Sequence, residues 1–260
     1  MLGKLIKLET KASARFLLPT YLILIVISII NRIILTLDLN EGLLMLIPTI
    51  SVFTYIASMV VVLVTTFILM ISRFYKNYLT DEGYLMFTLP VKTRDLILSK
   101  LIVTFCYTII SVLTALLSVL IVFATTERMK EIQQGISQIY NEIVSFNINM
   151  AFAIVVCSLL LVFSIALNIL NVYASIALGQ LYKKHKLLGS FIAYMIIYTV
   201  LQAAGIIVVA IASLIQVSIR FSPASIFYLF TIITAIVTVI LSGIFYYITS
   251  YMFRKKLNLD

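Results

Sequence analysis

Residues 149–178 read NMAFAIVVCSLLLVFSIALNILNVYASIAL, a stretch without a single charged side chain. An α-helix rises about 1.5 Å per residue, so a helix of this length crosses the roughly 30 Å hydrocarbon core of a bilayer. Strands that cross membranes alternate apolar and polar residues over about ten positions, and no such alternation is present. The stretch therefore predicts a membrane-spanning helix and an all-α integral membrane protein.

Five further stretches have the same character. Hydrophobic residues make up 63% of the chain and charged residues 11%, against about 45–50% and 25% in soluble domains. We predict a single transmembrane domain over residues 1–260. Its six spans are residues 16–37, 43–72, 101–125, 149–178, 191–216 and 225–253.

Lysine and arginine are unevenly distributed between the segments that connect these spans. The two termini and the segments 73–100 and 179–190 hold 15 of the 19 Lys and Arg residues. Cytoplasmic connections of membrane proteins carry such an excess, so we expect a multi-pass protein with both termini cytoplasmic. The cations lie at the membrane edges, where anionic lipid accounts for them, so nucleic acid is not an expected partner.

Two amphipathic segments flank the spans. Residues 1–15 combine lysines with leucine and isoleucine, which predicts an interfacial helix on the inner membrane surface; a disordered basic tail is the alternative. Residues 126–147 predict an extracellular amphipathic helix that rests on the membrane, on a partner subunit or on its own chain. Its apolar positions recur at steps of three and four: Met129, Ile132, Ile136, Ile139, Ile143 and Phe146.

The segment Arg73–Lys100, RFYKNYLTDEGYLMFTLPVKTRDLILSK, is a long polar connection between the second and third spans. Thr80 is a good helix N-cap, two carboxylates follow it in the first turn, and Pro90 stops the helix. We therefore predict a short cytoplasmic helix that docks a soluble partner; the alternative is a helix resting on lipid headgroups. The expected docking residues are Asp81, Glu82, Gly83, Tyr84, Leu85, Phe87, Leu89 and Pro90.

Residues for catalysis are scarce. His185 is the one histidine, every carboxylate lies in a connection or at the end of a span, and the phosphate-binding pattern G-x-x-x-x-G-K-[ST] does not occur. A metal site needs several ligands, and proton relays need acids inside the membrane. We expect no enzymatic activity, no metal and no cofactor on this chain.

Three amide side chains lie within the spans. Asn168 and Asn171 are three residues apart in the fourth span, and Gln202 is in the middle of the fifth. We consider them a candidate substrate path. The alternative is that they form hydrogen bonds between helices, as polar residues in membranes commonly do.

The order of these features resembles a known family. The basic lead-in, the six spans and the motifs Asp81-Glu82-Gly83, Thr88-Leu89-Pro90-Val91 and Ser99-Lys100 are similar to those of permease subunits of bacterial type-2 ABC transporters, especially from Gram-positive organisms. The topology covers the whole chain, whereas the motif covers the segment 73–100.

The resemblance implies a cytoplasmic coupling helix within 73–100, on which a separate ATPase subunit docks and supplies energy from ATP and Mg²⁺. It implies a second permease copy, or a related permease chain, in a bacterial cell membrane. The expected function is export of an amphiphilic substrate, such as a peptide, an antimicrobial or a toxin. A membrane scaffold or sensor that binds a soluble partner without transport is the alternative.

Overall fold

A computed structural model describes residues 2–37, 44, 46–79, 93–123, 126–182, 185–219 and 222–255. These residues form seven α-helices and no strand. The helices are α1 (Leu2–Thr36), α2 (Leu46–Leu79), α3 (Thr93–Phe123), α4 (Thr126–Ser145), α5 (Met150–Gly179), α6 (Lys186–Ile219) and α7 (Pro223–Lys255).

Six of the helices in the described ranges, all but α4, are long and apolar enough to cross a membrane. Their outward faces carry large apolar side chains; Phe53 and Ile206, for example, are 70% and 69% exposed. A soluble monomer rarely exposes large contiguous apolar patches, whereas lipid tails cover such faces. The predicted all-α membrane protein with six spans is confirmed.

Helix α1 differs from the prediction in its extent. Residues 1–15 were expected to form a separate interfacial helix, but α1 runs without a break from Leu2 to Thr36 and includes Pro19. The lysines of its first turns are exposed. The basic lead-in and the first span are therefore one helix.

The other boundaries follow the sequence closely. Helix α3 begins at Thr93 with Asp95 in its first turn, where a carboxylate stabilises the helix dipole. Helix α4 matches the predicted amphipathic helix over residues 126–147 except at its last two positions. Both α2 and α3 extend beyond the predicted spans into the segment 73–100.

The chain divides into two compact units. Unit 1 comprises Met1–Lys76 and Leu98–Gly135, and unit 2 comprises Asn77–Ile97 and Ile136–Asp260. Each has its own packed helices. The expectation of a single transmembrane domain stays a prediction.

In unit 1, α1, α2 and α3 share one apolar core. On α1 the buried members Leu17, Tyr21 and Leu24 recur at steps of four and three residues, which places them on one side of that helix. Hydrogen bonds also join the helices: the Tyr55 and Ser118 hydroxyls are 3.0 Å apart, and those of Tyr21 and Thr66 are 3.3 Å apart. The core residues are Leu17, Tyr21, Leu24, Tyr55, Val62, Met70, Val103, Tyr107 and Val122.

In unit 2, α5 packs against both α6 and α7. The second half of α5 is buried almost continuously from Ile169 to Gly179. Gly179 lies directly against Ser190 at the start of α6, so a Cβ atom at position 179 would overlap the Ser190 backbone. The close approach of α5 and α6 therefore requires glycine at this point.

Candidate functional site

The predicted docking residues all fall in the range 80–92, which lies outside the described residues. The structure does describe the two helices that border this range, namely the end of α2 and the start of α3. Helix α2 continues past Arg73 to Leu79, and α3 begins at Thr93 and passes through Lys100. One helix therefore ends just before residues 80–92 and another begins just after them.

A cluster of polar and charged side chains connects the end of α2 with the start of α3. The Glu9 carboxylate accepts a hydrogen bond from Lys100 Nζ at 2.6 Å through Oε1, and its Oε2 lies 3.4 Å from Arg73 Nη2. Arg73 Nη1 also donates to Ser13 Oγ at 3.0 Å. We call Glu9, Ser13, Arg73 and Lys100 the Glu9 cluster. It joins the first turns of α1 to the C-terminal part of α2 and the N-terminal part of α3.

The Glu9 cluster is largely shielded from solvent. The Lys100 side chain is 4% exposed and that of Glu9 is 12% exposed. A buried charge loses its hydration, and a close partner of opposite sign with good geometry offsets that loss. Because one carboxylate lies against two cations, Glu9 holds the end of α2 and the start of α3 on the same face of α1.

A further hydrogen bond supports the same arrangement. The Tyr107 hydroxyl on α3 donates to the Thr10 carbonyl oxygen on α1 at 2.9 Å. Thr10 follows Glu9 directly in the sequence. The first turns of α1 are thus attached to α3 through both a side chain and the backbone.

The candidate substrate-path residues occupy different environments. Asn168 is exposed and donates from Nδ2 to the Ser164 carbonyl oxygen at 2.8 Å, one turn earlier in α5. Gln202 is exposed and donates to the Tyr198 hydroxyl at 2.9 Å within α6. Asn171 is 3% exposed. Within the described residues no hydrogen bond connects the three amides, so they do not form a single polar site there.

Asn171 also carries a buried oxygen, Oδ1, without a hydrogen-bond partner in the described part of the chain. An unpaired buried acceptor destabilises a fold by about 1–3 kcal/mol. Among the three amides, Asn171 is thus the one that carries a buried oxygen without a partner in the described residues.

Unit 1 has a second polar position near the far ends of its spans. The Asn31 amide donates to the Ser51 carbonyl oxygen at 2.6 Å, and Arg32 donates to the Ile121 carbonyl oxygen at 3.3 Å in the last turn of α3. A cation favours the C-terminal end of a helix. Arg32 therefore joins the far end of α1 to the last turn of α3.

A groove of about 410 Å³ lies beside Asn31 between α1 and α2. Its walls are mainly isoleucine side chains, together with Ser51 and Thr54. Asn31 Oδ1 is buried and has no partner in the described residues, but less than 1 Å² of this atom is accessible. The groove therefore presents an apolar surface, suited to a lipid chain and not to catalysis.

The described residues contain no group of three or more His, Cys, Asp or Glu side chains that could hold a metal ion. Comparison with known proteins gave no relative: no protein-family model matches the chain, and neither a curated protein nor a solved structure matches it.

Sequence reasoning missed the Glu9 cluster. The signal that pointed to it was that Glu9 is the one carboxylate among the first 37 residues, which contain five Lys and Arg residues. A lone acid at the edge of a span favours pairing with a cation at the same depth. Which cations it contacts depends on the packing of α2 and α3, which the sequence does not display.

Proposed function

We propose that this chain is the permease subunit of a bacterial ABC exporter. A separate ATPase docks on residues 81–90 at the cytoplasmic side, binds ATP and Mg²⁺, and drives outward movement of an amphiphilic substrate such as a peptide, an antimicrobial or a toxin. Two permease subunits, identical or related, enclose the pathway in the cell membrane.

The chain's lack of an energy source supports this proposal. Neither a nucleotide-binding pattern nor a carboxylate in the middle of a span occurs in the sequence, and ion-coupled carriers usually depend on such carboxylates. Energy for transport then has to arrive from a partner. The basic segment 73–100 is the place where a cytoplasmic partner has residues to contact.

The observation that carries the proposal is the pairing of Glu9 with Arg73 and Lys100. A partner that displaces residues 81–90 also moves the end of α2 and the start of α3. Because the Glu9 cluster joins both of these helices to α1, the displacement is passed to α1, α2 and α3 together.

The test uses the full chain reconstituted in lipid vesicles with a candidate ATPase subunit. We expect the complex to hydrolyse ATP, and we expect the double variant Phe87→Ala/Leu89→Ala to lose assembly or hydrolysis because the docking surface loses its apolar anchors. A matched control is Leu181→Ala/Tyr182→Ala, which removes two exposed apolar side chains from the connection between α5 and α6.

Assembly and hydrolysis that remain unchanged in Phe87→Ala/Leu89→Ala would contradict the docking role of residues 81–90. A partner that binds there without any ATP hydrolysis would favour the scaffold or sensor alternative. The control variant has to retain both assembly and hydrolysis.

A further inference from the structure

Helix α4 carries an uncovered apolar stripe. Met129, Ile132, Ile136 and Ile139 are between 42% and 63% exposed. They lie on one side of the helix because they recur at steps of three and four residues. An exposed stripe of this kind marks a surface that some other apolar phase covers.

The connections at both ends of α4 restrict its orientation. Helix α3 ends at Phe123 and α4 begins at Thr126; α4 ends at Ser145 and α5 begins at Met150. At about 3.4 Å per residue, these connections reach at most about 10 Å and 17 Å from the ends of the two spans. Helix α4 is about 30 Å long, so an upright arrangement would lift one end out of reach. It therefore lies along the membrane.

The charges of α4 indicate how it is held there. Its sequence contains two cations and three carboxylates, Glu127, Glu131 and Glu142. Helices attracted to anionic lipids carry an excess of lysine and arginine on the polar face. Because α4 lacks that excess, its apolar stripe and not its charge has to supply the attraction.

We propose that α4 binds the lipid surface on the side of the membrane opposite to segment 73–100. The stripe centred on Ile136 inserts between headgroups and acyl chains, and the face that contains Gln138 points to water. The lipid bilayer, of either zwitterionic or anionic composition, is the ligand of this surface. This inference stands independently of the proposed export function.

The chain contains no tryptophan, so a single introduced tryptophan reports on one position. We compare Ile136→Trp with Gln138→Trp, which lies about 160° away around the helix. Each full-length variant is reconstituted in phosphatidylcholine vesicles whose acyl chains carry bromine, a quencher of tryptophan emission. We expect several-fold stronger quenching at position 136, and strongest when the bromine is near the headgroup end of the chain.

A reference variant, Ile206→Trp, places the reporter on the exposed face of a span; this residue is 69% exposed. Bromine near the methyl end of the chain should quench it best. Helical content measured by circular dichroism verifies that each variant is folded. Replacing half of the lipid with phosphatidylglycerol should leave quenching at position 136 unchanged, because the stripe is uncharged.

Two results would overturn the proposal. Emission at position 136 that is shifted to the blue but not quenched by any brominated lipid would show that protein, a second copy or the same chain, covers the stripe. Equal quenching at positions 136 and 138, or quenching that requires phosphatidylglycerol, would contradict seating by the apolar stripe.

Discussion

Units 1 and 2 hold their helices together by different means. In unit 1, hydrogen bonds between side chains join α1, α2 and α3 at several depths, and the Glu9 cluster closes one end. In unit 2, α5 approaches α6 closely through a glycine, Gly179. Hydrogen bonds between side chains therefore add to the apolar core of unit 1, whereas a close approach of two helix backbones distinguishes unit 2.

Buried polar atoms show the same contrast. In the described part of unit 2, Asn171 Oδ1, Gln180 Nε2 and Tyr246 Oη are buried without a hydrogen-bond partner, whereas unit 1 contains one such atom, Asn31 Oδ1. Paired polar groups define a unique register between helices. The register of the helices in unit 1 is therefore defined by paired polar groups more completely than that in unit 2.

The largest expected effect comes from breaking the Glu9 cluster. Glu9→Ala leaves the buried Lys100 cation with one carboxylate fewer, so we expect the free energy of unfolding to fall by about 3–5 kcal/mol. The measurement is reversible denaturation of the purified chain in mixed detergent micelles. Lys11→Ala, at an exposed position of the same helix, should change stability by less than about 0.5 kcal/mol.

The double variant Glu9→Ala/Lys100→Met sharpens the same test. It removes both members of the 2.6 Å pair, and replacing a buried ion pair with apolar residues is often neutral. We expect it to recover most of the lost stability. A Glu9→Ala variant that unfolds like the original chain would mean that the cluster contributes nothing to unit 1.

A smaller effect is expected from the glycine contact of unit 2. Gly179→Ala forces the Ser190 backbone away from α5, and overpacking of this kind destabilises a fold by about 1–3 kcal/mol. Gly205→Ala is the matched control, since a Cβ there meets nothing within 4 Å; it should be neutral or stabilise α6 by up to about 1 kcal/mol. Similar melting temperatures for both variants would refute the close contact of α5 and α6.

The smallest effect on stability is expected at Asn168 and Gln202. Both are exposed and bonded within their own helices, so replacement of either with alanine should change the free energy of unfolding by less than about 0.5 kcal/mol. Transport or substrate-stimulated ATP hydrolysis measured on the same variants separates the two roles. A loss of either activity with unchanged stability would support the substrate path; a large loss of stability would contradict both the exposure and the local bonding.

The spans were predictable because their signal is local. An apolar run such as 149–178 has to be long enough to cross the bilayer, and this length is visible in the sequence alone. The stripe of α4 was predictable for the same reason, since periodicity involves residues within a few turns. The end of the lead-in at residue 15 was not, because nothing local stops α1 there.

The candidate site was less accessible to prediction. Glu9 meets Arg73 and Lys100, which are 64 and 91 positions away, and no local pattern reports such a pairing. Asn168 and Asn171 were placed on one face because three residues correspond to about 60° around a helix. The edge of the buried face falls within that angle, so one amide is exposed and the other is buried.

The uninterrupted course of α1 has a consequence for communication across the membrane. This helix has 35 residues and is therefore about 52 Å long, with Glu9 near one end and Arg32 near the other. Pro19 removes one backbone hydrogen bond between them, which makes this turn the natural point of bending. A spectroscopic probe attached beside Arg32 should therefore respond to displacements at the opposite membrane surface, because one continuous helix with a single bending point connects the two surfaces.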